Sequence, residues 1–367
     1  ADVIMRANYA LEHGIEALSM CVRKAVNEML GSLAEDAGIR REDVFQVCVV
    51  GNTCMHHLFL GISPASLVHA PYTPAVSERL VLNAGDYGLA VQERAELIML
   101  SDIAGYVGAD TCGCLLAIRQ DQQEEISLMI DIGTNGEMVL GNRERMVTCS
   151  TAAGPAFEGA KIECGMRGAA GAVDHVKYED GKWNYTTVGN KPAVGLCGSG
   201  LIDLVAGLLD AGMLDENGVL RSGQEKQGVF ILVPPERGGN ERGVYLTQKD
   251  LGEVQLAKAA IAAGIQMLME RLGITEDDIC SVYIAGAFGN YMDPISAGKI
   301  GLLPATLVKK VKPVGNAAGE GAKIALVNEK EMLEMDELVR KIEFVELAAS
   351  ADFQDHFIDE LGFETGE

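Results

Sequence analysis

The segment DIGTNGE, residues 131–137, joins two carboxylates by a Gly-Thr-Asn-Gly turn. Its glycines (Gly133 and Gly136) let backbone N–H groups converge on an anion, and Thr134 and Asn135 add side-chain donors. Asp131 and Glu137 are of the type that holds Mg²⁺, directly or through water, or orients an attacking water. A plain hairpin turn reads the same way, so the motif needs a setting. Three further glycine clusters supply one. Residues 152–160 read AAGPAFEGA, 195–203 read GLCGSGLID, and 286–290 read GAFGN. Clusters that follow apolar runs mark strand-to-helix turns where backbone approaches a ligand. Gly198, Ser199 and Gly200 open a helix whose N-terminus suits a phosphate or ribose. No GxxxxGK[ST] sequence occurs, which excludes a P-loop.

A duplication positions these turns. Residues 38–51 (GIRREDVFQVCVVG) and 273–286 (GITEDDICSVYIAG) align without a gap at an offset of 235, with five of fourteen positions identical. An amphipathic helix precedes each copy. The upstream one carries Ile15, Leu18, Val22, Val26, Met29 and Leu33 on its predicted core face; the downstream one carries Leu256, Ala260, Ile261, Ile265, Leu268 and Leu272. A β-branched run then leads into Gly51-Asn52 or into GAFGN, the strand–glycine–helix sequence of a ligand-facing edge in an α/β sheet. Asn52 and Thr53 thus hold, in the first copy, the place of Gly286, Gly289 and Asn290 in the second. A weaker match, needing one gap, pairs residues 97–118 with 311–327.

Hairpin signals fill the stretch before the second copy. Residues 126–132, 137–140 and 145–150 read as strands, with Gly141-Asn142 as a tight turn; residues 173–178 and 183–188 flank another at Asp180-Gly181. Before the first copy there are only a few residues. The expectation is a piece of a longer chain whose first hairpin lies upstream, since a sheet without its first strands exposes an unpaired edge.

Composition bounds the reading. The 367 residues carry 30 Lys+Arg against 53 Asp+Glu, a net charge of −23, which argues against nucleic acid as partner. The apolar fraction of 48% rules out overall disorder. No apolar run approaches the ~18–20 residues of a membrane span, and no signal segment opens the chain. A soluble, cytoplasmic protein without membrane contact is expected. The nine cysteines include no CxxC and read as reduced, mostly buried thiols. His56 and His57 are adjacent and point apart, which suits structural roles, and Trp183 reads as packing. The acidic stretch 329–367 reads as helices with solvated faces.

The DxGT hairpin, the duplicated α/β units and the later Gly-Ala-x-Gly-Asn turn resemble the actin-like ATPases, a superfamily that includes sugar kinases and Hsp70. More narrowly, DIGTNGEMVLG, AAGPAFEGAKIECGM, GLCGSGLIDL and YIAGAFGNYMDP resemble the ATP-dependent reductive activators of corrinoid proteins. The resemblance implies two RNase H-like lobes related by internal duplication, residues 1–122 (partial, lacking its N-terminal hairpin) and 123–367. It implies ATP and Mg²⁺ as ligands, with Asp131 toward the metal and Asp131 and Glu137 as catalytic carboxylates. Gly133, Thr134 and Asn135 would bind phosphate, Gly286, Gly289 and Asn290 the nucleoside side. Gly198, Ser199 and Gly200 would face phosphate or ribose, and Asn52 and Thr53 the cleft from the first lobe. The implied function is ATP-dependent return of a corrinoid protein from Co(II) to Co(I), a step in methyl-transfer chemistry. The electron would come from a [2Fe–2S] domain outside this chain, the partner would be the Co(II) corrinoid protein, and homodimerisation stays open. The rival readings are a small-molecule kinase, another actin-like ATPase, an acyl-CoA dehydratase activator and a non-catalytic binding module. Cluster cysteines inside the ATPase fold, which the dehydratase activators need, are not evident in the cysteine spacing.

Overall fold

A computed structural model describes residues 3–221, 228–348 and 350–363. Residue 349 and residues 364–367 of the acidic stretch lie outside the described residues. The chain forms two units: residues 1–124, 142–148 and 316–344 make one, and residues 125–141, 149–315 and 345–367 the other.

The first unit opens with α1 (Val3–His13) and α2 (Glu16–Ala37), followed by β1 (Gln46–Val49), α3 (Thr53–Leu60), β2 (Leu80–Asn83), β3 (Glu96–Met99) and α4 (Ala109–Ile118). Its sheet has the order β1-β3-β2, with β1 parallel and β2 antiparallel to β3. Val47, Phe59, Leu97 and Met99 form the core, with Val22, Val26 and Leu30 of α2 packed on it. The expected core face of α2 needs a correction: Met29 and Leu33 are 57% and 64% exposed. Ser19 and Ala34 are buried instead, and Arg23 donates to Phe59 O and Asn27 to Gly88 O on that side, which leaves Met29 and Leu33 on the helix shoulder. Leu256, expected on the core face of the downstream helix, is likewise exposed.

The second unit contains β4 (Ile126–Ile132), β5 (Gly136–Gly141), β6 (Met146–Thr151, which begins in the first unit), β7 (Ala172–Glu179), β8 (Lys182–Thr187), β9 (Gly195–Leu196) and α5 (Gly198–Asp210). It continues through β10 (Val229–Val233), β11 (Val244–Thr247), α6 (Gln248–Leu272), β12 (Ile279–Ala285), α7 (Gly286–Gly289), α8 (Pro294–Lys299) and β13 (Val311–Gly315). Then α9 (Ala317–Val327), α10 (Glu329–Val339) and β14 (Glu343–Phe344) belong to the first unit, and α11 (Ala351–Asp359) to the second. The main sheet of the second unit runs β13-β12-β4-β5-β6. Its middle strands are apolar on both faces because both faces are covered: Leu128, Met129 and Ile130 of β4 are fully buried.

The duplication is visible in local geometry. Both α2 and α6 end at a left-handed glycine, Gly38 at φ 66° and Gly273 at φ 70°. A single 3₁₀ turn follows each, Arg41–Asp43 and Glu276–Asp278, and then the strand. In both copies that strand pairs in parallel with the next repeat strand, β1 with β3 and β12 with β13. Asp180 and Gly181 take positive φ in the tight β7–β8 hairpin. At Gly141-Asn142 the expected two-residue turn gives way to a longer loop. Asn142 Oδ1 accepts the N–H groups of Glu144 and Arg145, so the asparagine builds a side-chain turn of its own.

His56 and His57 are both buried and do point apart: His56 Nδ1 meets Asp102 Oδ2 at 3.2 Å, while His57 bridges Thr53 O and the Ala75 N–H. That double contact fixes His57 as the neutral Nδ1–H tautomer. Trp183 packs between Tyr178 and Phe230 with both ring centroids at 4.9 Å and the ring planes tilted by 44° and 58°. All nine cysteines are free thiols, five of them buried. No helix among the described residues is long and apolar enough to cross a membrane.

Candidate functional site

The site is built where parallel strands end. β4 is flanked by β12 on one side and β5 on the other, and its register places Asp131 opposite both Ala285 and Glu137. Opposed residues of an antiparallel pair project from the same face, so Asp131 and Glu137 share one side of the hairpin. Ala285 is the last residue of β12, and Gly286 starts the next turn at φ 85°. A Cβ on Gly286 would lie 2.9 Å from Asp131 Oδ1, so a bare Cα is what lets this turn approach the carboxylate. The hairpin and the GAFGN turn, separated by about 150 positions in sequence, thus meet at the carboxyl ends of adjacent parallel strands, the usual ligand edge of an α/β sheet.

Asp131 is partly buried and makes no side-chain hydrogen bond among the described residues. Burial alone pushes its carboxyl up to about 6. At neutral pH it is therefore ionised with lone pairs to spare, which fits a cation or its hydration shell. Glu137 accepts a long hydrogen bond of 3.4 Å from Ser150 Oγ. No group of three His, Cys, Asp or Glu among the described residues is arranged to hold a metal. A cation here would be held chiefly through Asp131, with water and nucleotide oxygens as its other ligands, a set that suits Mg²⁺.

Within the turn, the Gly133 N–H donates to Asn135 O, and Gly154 N–H donates to Thr134 O, which ties the hairpin to the AAGPAFEGA segment. Thr134 Oγ1 donates to Glu158 Oε1 at 2.8 Å. Glu158 also lies 3.6 Å from the place of a Cβ on Gly133. The sequence marks the segment 152–160 without singling out Glu158, whose only signal there is a carboxylate inside a glycine cluster after the third strand.

The other candidates are placed as follows. Gly289 packs under the turn, where a Cβ would meet Ile284 O at 2.8 Å. Asn290 is exposed, and its side chain lies beside Gly315 at the end of β13. Ser199 is buried and donates to Asp174 O at 2.8 Å, and a Cβ on Gly200 would collide with Val173 O at 2.2 Å. These two residues seat α5 against β7, and α5 also packs on the Pro155–Glu158 turn. Asn52 and Thr53 belong to the first unit: Asn52 Oδ1 caps α3 by accepting from Met55 N–H, and Thr53 Oγ1 donates to Ala104 O.

Comparison with known proteins places this arrangement. A family model described as "C-terminal domain of RACo the ASKHA domain" matches residues 125–367, and one described as "RACo middle region" matches residues 1–123. The chain is 34% identical over 374 residues to the corrinoid activation enzyme RamQ of Eubacterium limosum, covering 97% of this chain and 63% of that protein. It is 29% identical over 303 residues to the [Co(II) methylated amine-specific corrinoid protein] reductase of Methanosarcina barkeri, covering 76% of this chain and 54% of that protein. A solved "Reductive activator for corrinoid,iron-sulfur protein" superposes with a TM-score of 0.90 at 37% identity, covering 99% of this chain and 60% of that one. The chain thus spans 54–63% of the length of these relatives. With the actin-like ASKHA fold across residues 125–367 and the middle region before it, the chain belongs to the RACo family.

Proposed function

We propose that this chain is the ATP-binding, partner-docking region of a cytoplasmic activator that returns a corrinoid protein from Co(II) to Co(I). The observation that carries the nucleotide part is the Asp131 carboxylate, without a hydrogen-bond partner among the described residues, facing bare Gly286 at the joined ends of β4 and β12. In this reading Asp131 holds the hydrated cation, Glu137 orients water, and the turn Gly133–Asn135 binds phosphate. Gly286, Gly289 and Asn290 line the nucleoside side. Bound Mg·ATP supplies the free energy of its binding and hydrolysis. The relatives' names motivate the corrinoid partner, and duplicated lobes at 1–122 and 123–367 are the proposed frame.

The electron comes from a low-potential iron–sulfur donor outside this chain and reduces cobalt by one electron. Only differential affinity for the two cobalt states does thermodynamic work on that couple. A roughly 100-fold preference for Co(II) over Co(I) corresponds to about 2.7 kcal/mol and lowers the bound couple by on the order of 120 mV for one electron, a cost that Mg·ATP binding and hydrolysis have to offset as Co(I) is released. Calorimetric titration with Mg·ATP tests the first part, with no binding as the adverse result. Gel filtration with the corrinoid protein poised in each state tests the second: equal affinity for both, with and without ATP, removes the mechanism.

A further inference from the structure

The contact between Thr134 and Glu158 has no part in the nucleotide reading above. Glu158 is exposed, yet its carboxylate is not turned to solvent alone: Oε1 takes the Thr134 hydroxyl proton at 2.8 Å and lies over the bare Cα of Gly133. The backbone is fixed on both sides of the contact, because Gly154 N–H is bonded to Thr134 O and the Pro155–Glu158 turn is braced by α5 and α6. The carboxylate therefore stands at the turn that would receive a phosphate, and it uses the hydroxyl donor a phosphate oxygen would seek. Asp131 and Glu137 lie on the same hairpin, and among the described residues no ion pair links a cation to Asp131 or Glu158. A bare polyanion entering this turn meets like charge; one that arrives with a divalent cation does not.

We propose that Glu158 is a specificity-determining residue of the hairpin site, making the turn accept a nucleotide phosphate only as its complex with a divalent cation. The inference rests on the nucleotide reading and adds to it the residue that enforces the metal. The role is electrostatic and positional: Glu158 holds Thr134 in the empty turn and faces the cation's water shell in the filled one.

The test is calorimetry on the 367-residue chain with two probes, ATP in excess EDTA and Mg·ATP. The readout is the ratio of their dissociation constants. In Glu158→Gln the ratio should fall about tenfold, mainly through tighter binding of metal-free ATP. Glu158→Asp, which keeps the charge, should keep most of the ratio. Because Glu158 is exposed, neither change threatens the core, and Glu158→Ala repeats the readout. An unchanged ratio in the Gln and Ala variants, with normal Mg·ATP binding by the wild type, would overturn the role of Glu158 alone. Failure of the wild type to bind Mg·ATP would overturn the nucleotide reading and this inference together.

Discussion

Asp131 and Glu137 stand directly opposite each other across the β4–β5 hairpin, while the far flank of Asp131 abuts the last residue of β12. One carboxylate is thereby shared between a hairpin and a turn from a distant part of the chain. Replacing Asp131 with Asn should lower Mg·ATP affinity at least tenfold at neutral pH, since the amide offers one neutral oxygen in place of a charge. Isothermal calorimetry checks this; unchanged affinity and turnover would count against the assignment.

The same substitution should act oppositely on the stability of the ligand-free protein. Burial raises the Asp131 carboxyl to about 6 from an ordinary value of 3.8. The folded state therefore holds the proton more tightly than the unfolded one. That contribution is complete below about pH 4 and is lost as pH rises through 6. Asp131→Asn should be roughly 2 kcal/mol more stable than wild type at pH 7.5 and nearly equal to it at pH 4. Urea denaturation at the two pH values reads the difference.

Gly286 should tolerate no side chain. Its φ of 85° disfavours any L-residue, and a Cβ would sit 2.9 Å from Asp131 Oδ1. Gly286→Ala is expected to cost about 1–2 kcal/mol and to weaken Mg·ATP binding by displacing the carboxylate. A variant with wild-type Tm and affinity would show that the two turns do not meet as described.

Two helical glycines should respond with opposite signs. α4 and α9 cross so closely that a Cβ on Gly321 would lie 1.9 Å from Gly113 O, whereas one on Gly252 in α6 meets nothing within 4 Å. Gly321→Ala should destabilise by about 3 kcal/mol, because a backbone carbonyl cannot move aside. Gly252→Ala should stabilise by about 0.5–1 kcal/mol through helix propensity. Thermal denaturation of both variants, compared with wild type, checks the pair.

Much of this protein is written locally. The Gly38 and Gly273 caps, the strand of the DIGTNGE hairpin and the Asp180-Gly181 turn follow from φ preferences and period-two patterning, which depend on near neighbours only. The pairing of Asp131 with Glu137 follows from the hairpin itself. Tertiary structure decided the rest. Helical spacing cannot tell which side of a wide apolar stripe meets the sheet, so Met29 and Leu33 looked like core and are exposed. The sequence marks Ser199 and Gly200 as the start of a helix; the approach of β7 has the Ser199 hydroxyl donate to Asp174 O and needs Gly200 bare. The juxtaposition of Asp131 with Gly286, and of Thr134 with Glu158, arises from strand order and loop docking. Such contacts join residues far apart in the chain, so no window of sequence contains the energy that forms them.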